Sequence, residues 1–322
     1  MVKPGVYSGM GMEAYHDWKL DKDSLIDGPI SCSMLKAFDS NPYAWSISND
    51  FKRTEAMRTG SLFDAALTDP ESMNDESLFK GRPSFDDAVV LPFNSLRKYA
   101  AKAWKASMEA EGHRVISQKD KDAEMIALND WRMTVSSEKE RALKAADIVR
   151  EHPIAGEIMQ GAEFQVGIIG EIGGIPAKCL LDILPRPDGE WPETIFDYKT
   201  TSMGIDDDSI RKSIGQFKYH WQAAFYRTMF NKFHTDRVCD QFGFIFQCVK
   251  TLEVRVVTLH EDDLILGGRA IRNALKKFAK CAHNGIESQY LKSVPDVKLM
   301  PYHAMSEDEK LTLIEAGEEE AR

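Results

Sequence analysis

Two alternating runs of apolar residues on either side of Gly173-Gly174 limit the fold of this chain more than any other feature. The runs cover residues 161–172 and 175–184. Alternation on both sides of a glycine turn is typical of a β-hairpin. A short apolar segment at 194–198 predicts a third, buried strand close behind it. The central part of the chain is therefore predicted to build a sheet.

Helical periodicity dominates the rest of the chain. Helices are predicted at 33–39, 54–67 and over most of 94–150, then at 208–233 and 262–281, with a second strand pair at 241–249 and 253–259. Thr54 and Ser117 lie where N-caps are expected. This order of elements predicts an α/β core behind a mainly helical N-terminal half. Residues 1–30 are expected to be extended.

Two acidic residues and a lysine lie on neighbouring predicted strands. Asp182 ends the second apolar run, and Asp197 and Lys199 belong to the following strand. Residues two apart on a strand point to the same face, so Asp197 and Lys199 are expected to project together. Carboxylate oxygens suit Mg²⁺, and a lysine can orient a nucleophile or offset developing negative charge. The pattern indicates metal-dependent phosphodiester hydrolysis; the alternative is a strand end with two solvated carboxylates.

Gln222 and Tyr226 form a second element downstream. They are four residues apart in a segment with helical periodicity, so they share one helix face and can reach a site beside the sheet. The alternative for this pair is ordinary packing between helices.

Together, Asp182, Asp197-Tyr-Lys199 and Gln222-x-x-x-Tyr226 resemble the PD-(D/E)XK nucleases of the RecB type. The N-terminal half narrows the resemblance to the exonuclease VIII-like proteins of phages and prophages. The segments that carry this likeness are residues 4–7, 15–16, 30–36, 40–43 and 59–71.

The resemblance implies a PD-(D/E)XK core, a mixed central sheet flanked by helices. It further implies an exodeoxyribonuclease that uses Mg²⁺, for which Mn²⁺ can substitute. Such an enzyme digests linear double-stranded DNA from 5′ to 3′ and leaves 3′ single-stranded tails for recombination. A ring-shaped homo-oligomer, a single-strand annealing protein as partner and a location in the cytoplasm of a bacterial host are also implied. The expected organisation is a helical part at 1–160, a catalytic core at 161–285 and an acidic helical tail at 286–322.

The resemblance also suggests a ligand set for the metal. Asp182 and Asp197 are the principal ligands, with Asp64 as an auxiliary one at a position where the family usually carries histidine. Glu163, at the start of the first hairpin strand, is a further acidic candidate. For Asp64 the alternative is a purely structural role near a helix end, and for Glu163 an exposed strand position.

Basic and aromatic residues that lead into Gln222 are candidates for contacts with DNA. They are Arg211, Lys212, Lys218 and Tyr219. Lys178 is a further candidate because it shares a strand face with Asp182; the alternative is that it neutralises a buried carboxylate. A net charge of −10 argues against a protein that coats DNA nonspecifically, but it is compatible with a local basic channel.

The cysteine spacing and the hydropathy of the chain restrict the cellular compartment that we expect. Five cysteines with scattered spacing favour reduced thiols in the cytosol, and their spacing does not resemble that of an iron–sulfur cluster. No apolar run is long enough to span a bilayer, so no membrane association is expected.

Two other functions remain open at this point. The first is a catalytically weak subunit that binds DNA ends, which Asp64 in place of histidine favours. The second is a structure-specific endonuclease on the same fold, because a fold does not fix the substrate or the direction of digestion.

Overall fold

A computed structural model describes most of the chain. The described residues are 4–10, 12–20, 25, 27–48, 54–83, 88–93, 96–97 and 99–286. Contacts divide the chain into one unit at Met1–Gly285 and another at Ile286–Arg322. The acidic helical tail expected at 286–322 lies outside the described residues except for its first one.

Eight strands occur in the described part of the chain. They are β1 (Gly5–Tyr7), β2 (Val89–Val90), β3 (Val115–Ile116), β4 (Glu163–Ile172), β5 (Ile175–Leu184), β6 (Thr194–Thr201), β7 (Gln241–Cys248) and β8 (Val254–Thr258). Six of them form one sheet in the order β1-β4-β5-β6-β7-β8. Only β6 and β7 run parallel within it, so the sheet is mixed. The hairpin predicted around Gly173-Gly174 is β4–β5, and both glycines have positive φ, as its turn requires.

Helices surround this sheet. They are α1 (Met12–Asp17), α2 (Cys32–Ser40), α3 (Pro42–Ile47), α4 (Glu55–Thr68), α5 (Tyr99–Ala110), α6 (Gln118–Glu151), α7 (Pro153–Met159), α8 (Asp207–Gln216), α9 (Tyr219–Phe233) and α10 (Glu261–Asn284), with short 3-10 helices at Pro70–Asn74 and Glu76–Leu78. The Thr54 hydroxyl accepts from the Met57 amide, and Ser117 forms a capping box with Asp120, as predicted. None of the described helices combines the length and apolar character needed to cross a membrane.

The two faces of β6 have different neighbours. Phe196 and Tyr198 point into an apolar cluster with residues of α4 and α6. Asp197 points to the opposite face, as alternation along a strand requires, and there it meets Gln222 of α9. Apolar packing on one face thus fixes which side chains the strand presents on the other.

Two local expectations were wrong. The predicted helix at 208–233 is two helices, because Lys218 adopts the left-handed conformation with φ of 50° and ψ of 48° between α8 and α9. The first 30 residues contain α1 as well as β1, whereas only extended chain was expected. The helix predicted over most of 94–150 is present as α5 and α6, which the two-residue strand β3 separates.

A buried glutamine joins the sheet to α6. The Gln247 side chain is fully buried and accepts a hydrogen bond from the Tyr198 hydroxyl. Its amide nitrogen donates to the carbonyl oxygens of Ala145 and Leu252, each at 3.0 Å. Every polar atom of the glutamine side chain is therefore used within the protein.

Replacing Gln247 by leucine is expected to lower the free energy of unfolding by about 3 kcal/mol. The substitution leaves the buried Tyr198 hydroxyl and the buried Ala145 carbonyl group without this partner, together with the partly buried carbonyl group of Leu252. Loss of a buried hydrogen-bond partner costs roughly 1–3 kcal/mol before relaxation. Urea unfolding followed by circular dichroism measures the change. The control is Gln241→Leu at the exposed start of the same strand; equal stabilities of the two variants would contradict the proposed importance of the network.

Candidate active site

The candidate site lies where β5 and β6 separate. The two strands are in register at Ile183 and Phe196. Two residues further along β6, the Tyr198 amide donates to Asp182 Oδ2 at 3.1 Å. A side-chain carboxylate therefore accepts the hydrogen bond that a neighbouring strand would otherwise provide. This contact holds Asp182 against the backbone of the strand that carries Asp197 and Lys199.

Asp197 is the most deeply buried acidic residue of the site, with 1% of its surface exposed. Its Oδ1 accepts a hydrogen bond of 2.6 Å from the side-chain amide of Gln222, and its Oδ2 forms an ion pair with Lys199. The sequence pattern thus predicted three side chains that the structure brings into direct contact, two from β6 and one from α9.

Asp64 approaches the same site from α4. Its Oδ2 lies 3.4 Å from the donating side-chain nitrogen of Gln165, and its Oδ1 is shielded from solvent without a hydrogen-bond partner among the described residues. A Cβ atom at Gly60 would lie 2.9 Å from Thr200 Oγ1, so glycine allows α4 to come close to β6. Arg150 fixes the end of α4 by donating to the carbonyl groups of Ala66 and Leu67.

Burial and neighbouring charge raise the pKa of two carboxylates of the site. Burial and then the charge of Asp197 raise the pKa of Asp182 well above its usual range. The same two causes raise the pKa of Asp64 to about 6. Burial disfavours the charge of Lys199, but Asp197 and Asp182 outweigh it and raise the pKa of the ammonium group. The site thus concentrates more negative charge than one lysine can offset.

This excess of carboxylate suits a divalent cation. Within the described ranges, no three acidic, histidine or cysteine side chains form a complete ligand set for an ion. Mg²⁺ does not need such a set, because it binds through one or two carboxylates and keeps water and substrate phosphate in its shell. The shielded Asp64 Oδ1, which has no hydrogen-bond partner among the described residues, is the kind of atom that a cation or its water would satisfy.

Tyr226 lies near the carboxylates on the α9 face shared with Gln222. Burial raises the pKa of its hydroxyl well above the usual range, and the charges of Asp197 and Asp182 are among the further causes. The group therefore remains protonated and can donate a hydrogen bond. The structure brings Asp182, Asp197, Lys199, Gln222, Tyr226 and Asp64 together.

Lys178 does not face DNA, and this corrects our expectation. The residue is buried, and its ammonium group donates to the Tyr15 carbonyl oxygen at 2.7 Å and to that of Trp18. It also lies 4.4 Å from the centre of the Tyr15 ring. Burial lowers the pKa of Lys178 to about 8. Its role is to attach the N-terminal segment to β5.

Glu163 has the exposed strand position that was the alternative to a role as an additional metal ligand. It is exposed at the start of β4, and its carboxylate accepts a hydrogen bond of 2.6 Å from Ser8. Gln165, two residues further on and in a left-handed conformation with φ of 53°, is the residue of this strand that contacts Asp64.

The candidate DNA-binding residues line the approach to α9. Arg211 and Lys212 are exposed on α8, and Arg211 forms ion pairs with Asp207 and Asp208. Lys218 lies 3.8 Å from a carboxylate oxygen of Asp39. The Tyr219 ring lies nearer the site, with its centre 5.3 Å from Lys199 Nζ.

Sequence reasoning missed Gln165 and Lys36 as neighbours of the site. Lys36 donates to the Phe217 carbonyl oxygen at 3.0 Å, and burial lowers the pKa of its ammonium group. Lys199 lowers that pKa further, which places the two lysines within reach of each other's charge. Lys36 lies within the motif at 30–36, but nothing in its spacing linked it to β6. Gln165 had no signal, because its role depends on an irregular backbone conformation.

A mixed sheet with paired aspartates and a lysine at diverging strands defines a PD-(D/E)XK-like protein. Residues 31–293 match the family described as "PDDEXK-like domain of unknown function (DUF3799)". The chain belongs to this family, and the predicted fold class is confirmed.

Two solved structures match this chain at low sequence identity. A "putative exonuclease" from Eubacterium rectale superposes with a TM-score of 0.50 at 12% identity, over 94% of this chain and 100% of that one. The protein SSO0001 matches with a TM-score of 0.27 at 12% identity, over 67% of this chain and 85% of its own. No curated protein sequence shows significant similarity to this chain.

The raised pKa of Asp64 predicts a pH-dependent cost in stability without metal. The folded protein binds this proton more tightly than the unfolded chain does, so stability falls between the ordinary pKa of 3.8 and the folded value of about 6. The cost is complete above that window and absent below it. In EDTA, Asp64→Asn is expected to be more stable than the wild type by about 1–2 kcal/mol at alkaline pH, a figure reduced for partial exposure.

Urea unfolding of both proteins across this pH range checks the expectation. The two curves should converge near the acidic end of the window. Asp130→Asn, at an exposed position of α6, serves as the control. A stability difference between Asp64→Asn and the wild type that stays constant with pH would contradict the assigned titration.

Proposed function

We propose that this protein is a Mg²⁺-dependent exodeoxyribonuclease resembling exonuclease VIII. One observation carries the proposal: Asp197 is held between Lys199 and Gln222 and lies within reach of the charges of Asp182 and Asp64. The fold shared with a "putative exonuclease" adds support for nuclease chemistry. The substrate of the proposal is linear double-stranded DNA, digested from 5′ to 3′ to leave 3′ single-stranded tails for recombination.

The roles of the site residues follow from their contacts. Asp182 and Asp197 would hold the metal, with Asp64 as an auxiliary ligand. A bound Mg²⁺ supplies Lewis acidity and lowers the pKa of its water, and Mn²⁺ can substitute for it. Lys199 remains charged beside the carboxylates and positions the attacking water or offsets negative charge on the phosphate. We propose no iron–sulfur cluster as a cofactor of this protein.

Gln222 and Tyr226 would act by orienting the groups around them. Gln222 donates to one oxygen of Asp197, so the other oxygen faces Lys199. This fixes the carboxylate plane and reduces the reorganisation that cleavage requires. The protonated hydroxyl of Tyr226 is available to orient either the site or the DNA strand.

DNA would approach from the side of α8 and α9. Lys212 and Arg211 are exposed, and Lys218 and Tyr219 lead from them toward Lys199. Phosphate contacts by these residues would give affinity that depends on salt rather than on base sequence. We further propose that the protein forms a ring-shaped homo-oligomer and works with a single-strand annealing protein in the cytoplasm of a bacterial host. The proposed organisation of the chain is a helical part at 1–160, a catalytic core at 161–285 and an acidic helical tail at 286–322.

A weak enzyme that mainly binds DNA ends is a second candidate. Asp64 favours it, because an aspartate replaces the histidine expected from the resemblance and its partly protonated state opposes metal binding near its pKa of about 6. Activity measurements separate the two candidates.

Asp197→Ala and Lys199→Ala are each expected to lower metal-dependent cleavage of linear duplex by at least about 100-fold. Asp197→Ala removes a metal ligand, and Lys199→Ala removes the charge that positions water or stabilises developing negative charge. Cleavage of end-labelled duplex, with Mg²⁺ and with EDTA, measures the effect. Lys232→Ala, at a lysine whose ion pair joins α9 to Glu171, is the control for loss of a cation. Full activity of either site variant in a folded protein would reject the assignment.

Linear duplex is expected to be cut much faster than a covalently closed circle of the same sequence. The physical reason is that an exonuclease must engage an end, whereas phosphate contacts alone act equally on both forms. Rates measured over a series of salt concentrations should fall for the linear form as salt rises. Rapid cutting of the closed circle would instead indicate the endonuclease, and binding of ends without cutting would indicate the weak end-binding subunit.

A further inference from the structure

A cavity of about 170 Å³ adjoins the candidate active site at the end of β6. It lies between α4, the residues that follow Lys199 and the junction of α8 with α9. Hydroxyl and aromatic side chains form much of its wall, including Thr59, Thr200, Ser202, Phe217 and Tyr219. No lysine or arginine is among the described residues that line it. The lining suits a neutral, flat group with hydrogen-bonding edges better than it suits a phosphate.

Phe217, which lines this cavity, is unusually exposed for a large apolar residue. Its side chain is 47% exposed although it is large and apolar. Its ring is stacked on Tyr219, with the centres 5.5 Å apart and an angle of 29° between the planes. Tyr219 is supported in turn by Phe244, at 5.5 Å between ring centres. The stack therefore ends in an aromatic surface that is backed by the sheet and faces solvent.

The junction that presents this surface is fixed in place. Lys218 adopts the left-handed conformation, which costs energy for a residue other than glycine. The Lys36 ammonium group donates to the Phe217 carbonyl oxygen at 3.0 Å and lies 3.5 Å from that of Lys218. A cation from α2 thus fixes the backbone of the junction, and the aromatic stack keeps its orientation without a ligand.

The aromatic stack of Phe217 and Tyr219 lies close to Lys199, a residue of the proposed cleavage reaction. Lys199 Nζ is in contact with Asp197 and lies 5.3 Å from the centre of the Tyr219 ring. One nucleotide spans roughly the same length along a DNA strand, since stacked residues follow at about 3.4 Å and extended ones at more. A phosphate at Lys199 would therefore place the adjoining nucleotide beside Tyr219, which lines the cavity and on which Phe217 stacks.

We propose that this cavity binds the nucleobase next to the scissile phosphate, with its ring stacked on Phe217. The proposal rests on the proposed nuclease function and adds the position of a nucleotide that has left its base pair. Stacking tolerates any base, because every base has an aromatic face. The site would thus hold the end of the cut strand without selecting a sequence.

Steady-state kinetics on linear duplex test the proposal with variants of one residue. Phe217→Ala is expected to raise KM by about 5- to 150-fold, the range for loss of one stacked base. Phe217→Trp should restore the wild-type KM, while Phe217→Leu, which keeps bulk without a flat ring, should not. Ile265→Ala, which truncates a side chain of similar exposure on α10, is the control.

A second measurement separates base stacking from a structural role. An abasic nucleotide is placed in turn at each terminal position of the cut strand. At one position it should raise the KM of the wild type as much as Phe217→Ala does, and it should have no further effect on that variant. A structural role predicts instead that both proteins respond alike to the abasic site at every position.

The outcomes distinguish failure of the subsite from failure of the function. Wild-type cleavage together with an unchanged KM for Phe217→Ala overturns the subsite and leaves the nuclease intact. Equal KM values for Phe217→Leu and Phe217→Trp also overturn it. A wild-type protein that does not cut the intact duplex in Mg²⁺ overturns both.

Discussion

The hydrogen bond from the Tyr198 amide to Asp182 is the contact on which the site depends. It occurs where β5 and β6 cease to pair, and it leaves no unsatisfied amide at the point of divergence. Because the acceptor is a carboxylate, the same contact places a negative charge beside Asp197. The opening between the strands and the concentration of charge therefore have one structural cause. Gln222 and Lys199 complete the arrangement by holding the two oxygens of Asp197.

The negative charge of the site lowers the stability of the folded protein but favours the binding of a cation. Burial and the charge of Asp197 raise the pKa of both Asp182 and Asp64, so protons and a metal would compete for these two carboxylates. Lys36 also feels the charge of Asp197, but its hydrogen bonds go to backbone carbonyl groups at the α8–α9 junction. This second lysine therefore shapes the surface beside the carboxylates, while Lys199 is the lysine that pairs with Asp197.

The strands and the central site residues could be predicted because their signals are local or periodic. Alternation about Gly173-Gly174 located the β4–β5 hairpin, and the two-residue spacing of Asp197 and Lys199 placed them on one face. The role of Lys178 could not be predicted, because it depends on carbonyl groups more than 150 residues earlier in the chain. The break at Lys218 was missed although Gly215 lies three residues before it, because the tertiary contacts from Lys36 that hold it have no local signal.

The register of β6 links the apolar core to the proposed chemistry. Each residue from Thr194 to Thr201 is paired with one from Gln241 to Cys248 in the parallel β6–β7 ladder. A shift by one residue would bring Phe196 and Tyr198 to the face of α9 and bury Asp197 and Lys199 against α4 and α6. Apolar packing opposes that shift strongly. The core residues between the charged ones therefore fix which face of β6 carries the proposed metal site, and the cavity at the end of the same strand follows from the same register.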